Sequence, residues 1–336
     1  MSIEIKTTSI EPLRHTFTNV AARLGKDKPA SRYQEATFDL QPTVNFHYRP
    51  TWDKDHELYD QGRTAIKMED WYSFRDPRQL YYGAWTMARA KQQEVAERNF
   101  AFVERRNLLD SAKPEGRQLV ADVIVPLRHL EYAANLNNCY ITGYGYGTAI
   151  TQATSFNAID RLGIAQYLTR LGLLLDGNSA EVLDAGKQAW LEADYLQPLR
   201  ELTEQLLVTK DWFELYVAQN IVLDGLLYPL IYEKVDAALI PHAGSTFSML
   251  MEFQNEWYGE NVRWVDATLK TAAGESDENR EQLAQWISDW TARCRTALIP
   301  LADKALGTGK GEAVIDELIN DLQARLEKKA GLALAA

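Results

Sequence analysis

The sequence predicts an all-α protein, and three observations carry that reading. From Asp76 onward, apolar residues recur at helical spacing over stretches of roughly 25–30 residues. No convincing apolar/polar alternation marks a strand, and there is no strict internal repeat. The 11 prolines and 19 glycines fall mostly between the long periodic stretches. Helices of that length run about 40 Å at ~1.5 Å per residue. Stacked antiparallel, they make a long bundle around one elongated core.

Residues 1–75 read as an extended arm with one short helical stretch, Phe17 to Leu24, which stops at Gly25. From Arg32 to Trp52 the arm carries Pro42 and Pro50 among the aromatics Tyr33, Phe38, Phe46, Tyr48 and Trp52. So long a structureless segment is unusual inside a compact domain. Such aromatic content is equally unusual for a free tail. The arm is therefore expected to lie across another surface, either its own domain's or a partner's, and composition does not choose between them.

Residues 76–336 form the helical domain. Arg78 to Leu109 is the first long helix, with Leu80, Trp85, Ala88, Val95 and Phe102 in phase. Pro77 stands near its start, where a missing N–H is harmless. Gln118 to Tyr140 is the second, bent near Pro126. Thr148 to Leu175 is the third, ended by Asp176-Gly177-Asn178. Ser179 to Val208 follows, with Ser179 as N-cap and Glu181 in the first turn. Pro198 kinks or splits that helix. Asp211 to Leu239, Ser245 to Leu269, Asp277 to Leu301 and Glu312 to Leu332 complete the chain.

Hydrophobic residues make up 46% of the chain, enough for a sizeable core and too many for general disorder. With 36 basic and 47 acidic residues, the net charge of -11 argues against phosphate-backbone binding and suits a soluble protein. Two cysteines, Cys139 and Cys294, are too few for a disulfide framework or a four-cysteine zinc site. The start, Met1-Ser2-Ile3-Glu4, lacks a signal-type apolar run. The richest apolar stretch, Ile221 to Ile231, is interrupted by Asp224 and Pro229, so no membrane span is expected. The expected setting is the reducing cytoplasm.

Two pairs of the long helices are spaced like the core of a carboxylate di-iron protein. Such a core needs Glu-x-x-His on two helices, because positions three apart share a face and can grip one metal. The five histidines are His15, His47, His56, His129 and His242. Three residues before them stand Pro12, Val44, Asp53, Pro126 and Leu239, so Glu-x-x-His is absent throughout. Asp53-Lys54-Asp55-His56 is the one carboxylate-x-x-His, and it lies in the arm. A metal role there needs ligands from elsewhere, and the plainer reading is a solvated loop.

Gly143-Tyr144-Gly145-Tyr146-Gly147 looks like a phosphate cradle, but it follows a helix rather than a strand. A helix end where a neighbouring backbone approaches closely fits better. His129 and Glu131 are two apart and cannot readily share an ion. His242, after Pro241, is expected to order a turn. Trp286 and Trp290 share a helix face that is either core or subunit contact.

Taken together, the arm stretch Lys26-Asp27-Lys28-Pro29-Ala30-Ser31-Arg32-Tyr33, the run Arg75-Asp76-Pro77-Arg78 and the helices that follow resemble a known family. It is that of the β subunits of bacterial multicomponent monooxygenase hydroxylases, closest to phenol hydroxylase and its toluene monooxygenase relatives. The resemblance covers nearly the whole chain and implies a ferritin-like, ribonucleotide-reductase-like bundle. The catalytic α subunit of that family shares the fold. Its Glu-Tyr-Ala is matched here by Glu131-Tyr132-Ala133. Its Asp-Glu-x-x-His is matched by Asp160-Arg161-Leu162-Gly163-Ile164, which puts Arg161 at the bridging Glu and Ile164 at the His. Glu214 matches the lone Glu of the second half. The last Glu-x-x-His falls on Glu256 and Gly259, or on Tyr258 and Asn261. In every register the histidine is missing.

The resemblance therefore implies a chain with no catalytic residue, no cofactor-binding residue and no metal ligand. It implies an (αβγ)2 hydroxylase whose α subunit holds the di-iron centre and hydroxylates phenol or related arenes with O2. A regulatory protein docks on it, and a reductase with FAD and a 2Fe-2S cluster delivers electrons from NADH. Glu131, Glu214 and Glu256 are expected either to persist as a carboxylate cluster or to be neutralised through Arg161 in an ion-paired network. Two other classes stay open. One is a free-standing ferritin-like metal oxygenase using Glu131, Glu214, Glu256 and Asp53 or His56. The other is a helical binder of small aromatics.

Overall fold

The structure, a computed structural model, describes residues 16–25 and 28–332. His15, Lys26 and Asp27 lie outside the described residues. No strand occurs among the described residues.

In the arm, α1 (Thr18–Leu24) is followed by α2 (Arg32–Thr37), a helix the periodicity did not reveal. Its start carries a capping box: Ser31 accepts from the Gln34 N–H, and the Gln34 side chain accepts from the Ser31 N–H. The arm then divides. Between residues 40 and 59 most large side chains are exposed, Tyr48 and Trp52 among them, although the Trp52 indole N–H donates to the Tyr144 hydroxyl and Gln41 accepts from the Gly147 N–H. From Thr64 it is stitched to the body. The N–H groups of Ala65, Lys67 and Glu69 donate to Asp211, Asn279 and Glu275. Ile66, Met68, Trp71 and Phe74 are buried.

The first long helix, α3 (Tyr82–Arg105), starts later than expected. Asp76 takes the Arg78 N–H and guanidinium, and Pro77 lies in the resulting turn rather than at a helix N-terminus. Next come α4 (Pro114–Leu119), a π-helical turn (Val120–Ile124), a 3-10 turn through Pro126, and α5 (Arg128–Tyr144). After the glycine loop comes α6 (Thr148–Leu175), with the bounds expected. Gly147 at its start has φ +83°, and a Cβ there would stand 3.2 Å from Trp71 Cβ, so the close approach read from the glycines is real.

The following helix splits into α7 (Glu181–Glu192) and α8 (Gln197–Leu207), with Pro198 in the first turn of α8. Ser179 is not the N-cap of α7. Ala180 holds that position, and Asp176 reaches over to accept from the Val182 N–H.

A continuous segment then runs through α9 (Trp212–Tyr216), a π turn (Val217–Leu223), α10 (Asp224–Pro229), a second π turn (Leu230–Val235) and α11 (Asp236–Ala243). The π turns flank Pro229, which cannot donate to the helix ladder. By length and composition Trp212–Ala243 could cross a bilayer, but its most apolar window is 94% buried within the fold, as in a core helix. Last come α12 (Thr246–Leu250), α13 (Glu252–Glu275), α14 (Asp277–Leu306) and α15 (Gly311–Ala330).

The antiparallel pair α5 and α6 makes the most extensive helix contact, and α14 packs on α8, α15 and the Val217–Leu223 π turn. Trp212, Trp257, Trp264 and Trp290 are fully buried between these layers, and Trp286 is buried as well. The Trp286/Trp290 face is therefore core. His242 is not in a turn: it closes α11, and its carbonyl accepts from the Lys113 N–H.

Candidate functional site

Where the helix pairs converge, one side chain organises the centre. Arg161 of α6 is fully buried. Its Nη1 donates to Glu131 of α5 and to the Tyr228 hydroxyl of α10, each at 3.0 Å. Its Nη2 contacts Asp224 of α10, and its Nε donates to Asn157 at 3.4 Å. The guanidinium lies 4.6 Å from the Trp257 ring centroid.

The two carboxylates have further partners. Tyr228 donates to Glu131 at 2.9 Å, and Gln219 donates to Asp224 at 3.1 Å. Burial pushes the Asp224 carboxyl up to about 6, against the pull of Arg161. Burial works against the Arg161 charge too, but Asp224, Tyr228 and Glu131 outweigh it and hold the guanidinium protonated. Amide pairs extend the network along α5 and the Val217–Leu223 π turn, Asn137 with Gln219 and Asn138 with Asn220.

Asp160, the preceding residue, faces a second network. It accepts from Trp85 Nε1, Trp257 Nε1 and both Nε and Nη2 of Arg89, all at 2.9 Å. Arg89 continues to Glu260 at 2.9 Å.

The expected residues thus separate. Glu131 and Arg161 meet. Glu214 does not join them: it is half-buried and accepts from Trp290 Nε1 at 3.0 Å. Glu256 points to solvent, because Trp257 takes the inward position of α13. The surviving cluster is Glu131, Arg161 and Asp224, not Glu131, Glu214 and Glu256. Of the two registers on α13, that of Tyr258 and Asn261 faces inward: Tyr258 stacks on Tyr228 at 5.0 Å, and Asn261 accepts from Asn157 at 3.1 Å. Ile164 is buried apolar core.

Asp224, Tyr228 and Trp257 were missed. The available signal was Asp224 itself, a lone acid in the most apolar stretch of the chain.

Outside the centre, Asp53 pairs with His56 at 2.9 Å and with Arg63, and these partners hold its carboxyl below the usual range. They line an open cleft of about 970 Å3 beside Tyr144 and Lys210. His129 stacks on Trp190 with its Nε2 buried and unpartnered. Burial, helped by Arg128 and Lys187, pushes its imidazole down to about 4. Among the described residues no group of three or more His, Cys, Asp or Glu is placed to hold a metal ion.

The profile of the methane/phenol/alkene hydroxylase family matches residues 52–276. The chain belongs to this family. It is 48% identical to phenol 2-monooxygenase oxygenase component DmpL of Pseudomonas sp. strain CF600, over 98% of each chain. It is 26% identical to the toluene-4-monooxygenase hydroxylase component subunit beta of Ectopseudomonas mendocina, over 79% of this chain and 78% of that one. A chain of the phenol hydroxylase crystal structure from Pseudomonas sp. OX1 superposes with a TM-score of 0.90 at 47% identity, covering 97% of this chain and 98% of that one. Toluene 4-monooxygenase superposes with a TM-score of 0.74 at 21% identity, covering 92% of this chain and 99% of that one, and shares the fold. The bundle is the ferritin-like one of these hydroxylases, a family of di-iron monooxygenases.

The residues at the centre of this chain do not fit a di-iron group. A guanidinium fills the space between Glu131 and Asp224. The position three after it offers the hydrocarbon side chain of Ile164. No imidazole enters the cluster, and an Arg repels a metal cation rather than ligating it.

Proposed function

We propose that this chain is the non-catalytic β subunit of a phenol/toluene-type di-iron monooxygenase hydroxylase. In this reading it assembles with α and γ subunits as (αβγ)2 in the cytoplasm. It would carry no catalytic residue, cofactor or metal ligand of its own. O2 activation and arene hydroxylation belong to the di-iron centre of α, with electrons arriving from NADH through a reductase carrying FAD and a 2Fe-2S cluster. A regulatory protein completes the system. The single observation that carries the reading is Arg161, buried between the two carboxylates where a metal would need its ligands. The same observation disfavours a free-standing oxygenase, and Arg161 fills the position at which a small aromatic would take the place of iron.

What the chain would contribute is surface. Every exposed residue of α5 and α6 is uncharged: Tyr132, Leu136, Cys139 and Gly143 on one, Ile159, Leu162 and Gln166 on the other. In a chain with 25% charged residues, such a face favours a protein interface. Gly143 and Gly163 add to this. Both are helical, and a Cβ at either would meet nothing within 4 Å. Glycine inside a helix costs about 1 kcal/mol relative to alanine, and no packing within the chain explains it. Close approach of a partner helix does. The exposed arm between residues 40 and 59 offers a second contact.

The test is co-expression with and without the α partner, followed by oligomer mass and iron per chain. Iron-free β that joins α in a complex whose iron is accounted for by α supports the proposal. Stoichiometric iron on this chain alone overturns it.

A further inference from the structure

We propose that the centre of this bundle is a cation site selective for a planar guanidinium, filled from within by Arg161. The argument deepens the misfit to iron described above and rests on this chain's own geometry. Separate helices converge on the guanidinium: Glu131 from α5, Asp224 and Tyr228 from α10, and the face of Trp257 from α13. Arg161 thus ties together helix pairs that a bound metal would otherwise gather.

The ligand set suits this cation and not a divalent metal. Two carboxylates sit at the two Nη forks, a geometry that matches a planar fork of N–H donors. The remaining oxygens of Glu131 and Asp224 are taken by Tyr228 and Gln219, so neither carboxylate is free to chelate. The indole shelf favours a weakly hydrated, delocalised cation. Removing the side chain would leave two buried carboxylates facing a void the size of a guanidinium.

The experiment uses the full chain as it purifies, in wild-type and Arg161→Ala forms. Thermal unfolding is followed with and without millimolar methylguanidinium, with NaCl and methylammonium at equal concentration as controls. Arg161→Ala should lose roughly 5 °C in Tm. Methylguanidinium alone should restore part of that loss saturably, and it should do nothing for the wild type. Adding Glu131→Gln and Asp224→Asn to Arg161→Ala should abolish the recovery. If Arg161→Ala does not fold, its refolding yield from urea with and without methylguanidinium gives the same answer. Absence of recovery, or equal recovery with either control, overturns the proposal. So does an Arg161→Met chain as stable as the wild type, because an apolar filler would then serve as well. Iron on this chain would sink the subunit reading through a different measurement, so the two failures are distinguishable.

Discussion

Asp160 and Arg161, adjacent on α6, hold opposite aspects of one tryptophan. The Trp257 indole N–H donates to Asp160 at 2.9 Å, while its ring face carries the Arg161 guanidinium at 4.6 Å. A buried carboxylate with four donors cannot be replaced by an amide without facing an N–H against an N–H. Asp160→Asn is therefore expected to destabilise the chain by about 2–4 kcal/mol. Urea unfolding of variant and wild type checks this. A change below about 0.5 kcal/mol, the range of ordinary surface substitutions, would mean that the network is replaceable.

His129 sets an acid limit. Its folded value of about 4 lies below the ordinary 6.5, so between those pH values the unfolded chain takes up a proton that the folded chain refuses. The stability this neutral imidazole contributes is present above pH 6.5 and is lost as pH falls toward 4, by up to about 2–3 kcal/mol. Asp224 works the other way. Raised to about 6 from 3.8, it favours the folded state below pH 3.8, an advantage lost as pH rises through 6. His129→Phe keeps a ring against Trp190 and removes the acid-side loss. Its stability relative to wild type should rise between pH 7 and pH 4.5, read from paired urea curves. An unchanged difference would mean that His129 is protonated without penalty.

The glycines divide into two kinds. Gly147→Ala places a side chain at positive φ against Trp71 and should destabilise by about 1–2 kcal/mol. Gly163→Ala meets open space in a helix and should stabilise the isolated chain by up to about 1 kcal/mol. Gly163→Trp should leave the isolated fold intact and block joining with the hydroxylase partner, as read by size-exclusion chromatography of the mixed subunits. Normal assembly by Gly163→Trp would remove that face from the interface.

The arm has two functions to separate. Trp71→Ala opens a cavity in the core and is expected to cost about 3–5 kcal/mol. Tyr48→Ser with Trp52→Ser removes two exposed rings and one bond to the body, from Trp52 Nε1 to the Tyr144 hydroxyl, so Tm should change little while association with the partner weakens. Far-UV circular dichroism and co-purification distinguish these outcomes. Lost helicity in the double variant would place that part of the arm on its own domain.

Much of the fold was legible because α6 and the C-terminal helices are long and amphipathic, and period decides such segments. The capping box at Ser31 and Gln34 was equally readable, but the helix it starts is too short to show periodicity. Ser179 was misplaced because a cap depends on backbone geometry. The chain turns through a positive φ at Ala180, and Asp176 does the work from farther back. At the centre, Glu131 and Arg161 could be paired because the family resemblance put both at ligand positions, and both lie on regular helices. Asp224 could not, because two π turns interrupt its helix and spacing no longer reports direction. Glu214 was placed by resemblance alone, and it lies on the far side of the Val217–Leu223 π turn from Asp224, where it meets Trp290 instead.

Those π turns give the segment from Trp212 to Ala243 an angular phase that length alone does not specify. Each residue advances a helix by roughly 100°. Deleting one residue from Val217–Leu223 would therefore act less as a shortening than as a rotation, swinging Trp212 and Phe213 out of the core while Asp224 and Tyr228 keep their hold on Arg161. Within this helix, single-residue gaps are the costly changes, and substitutions that preserve the count are the ones the bundle can absorb.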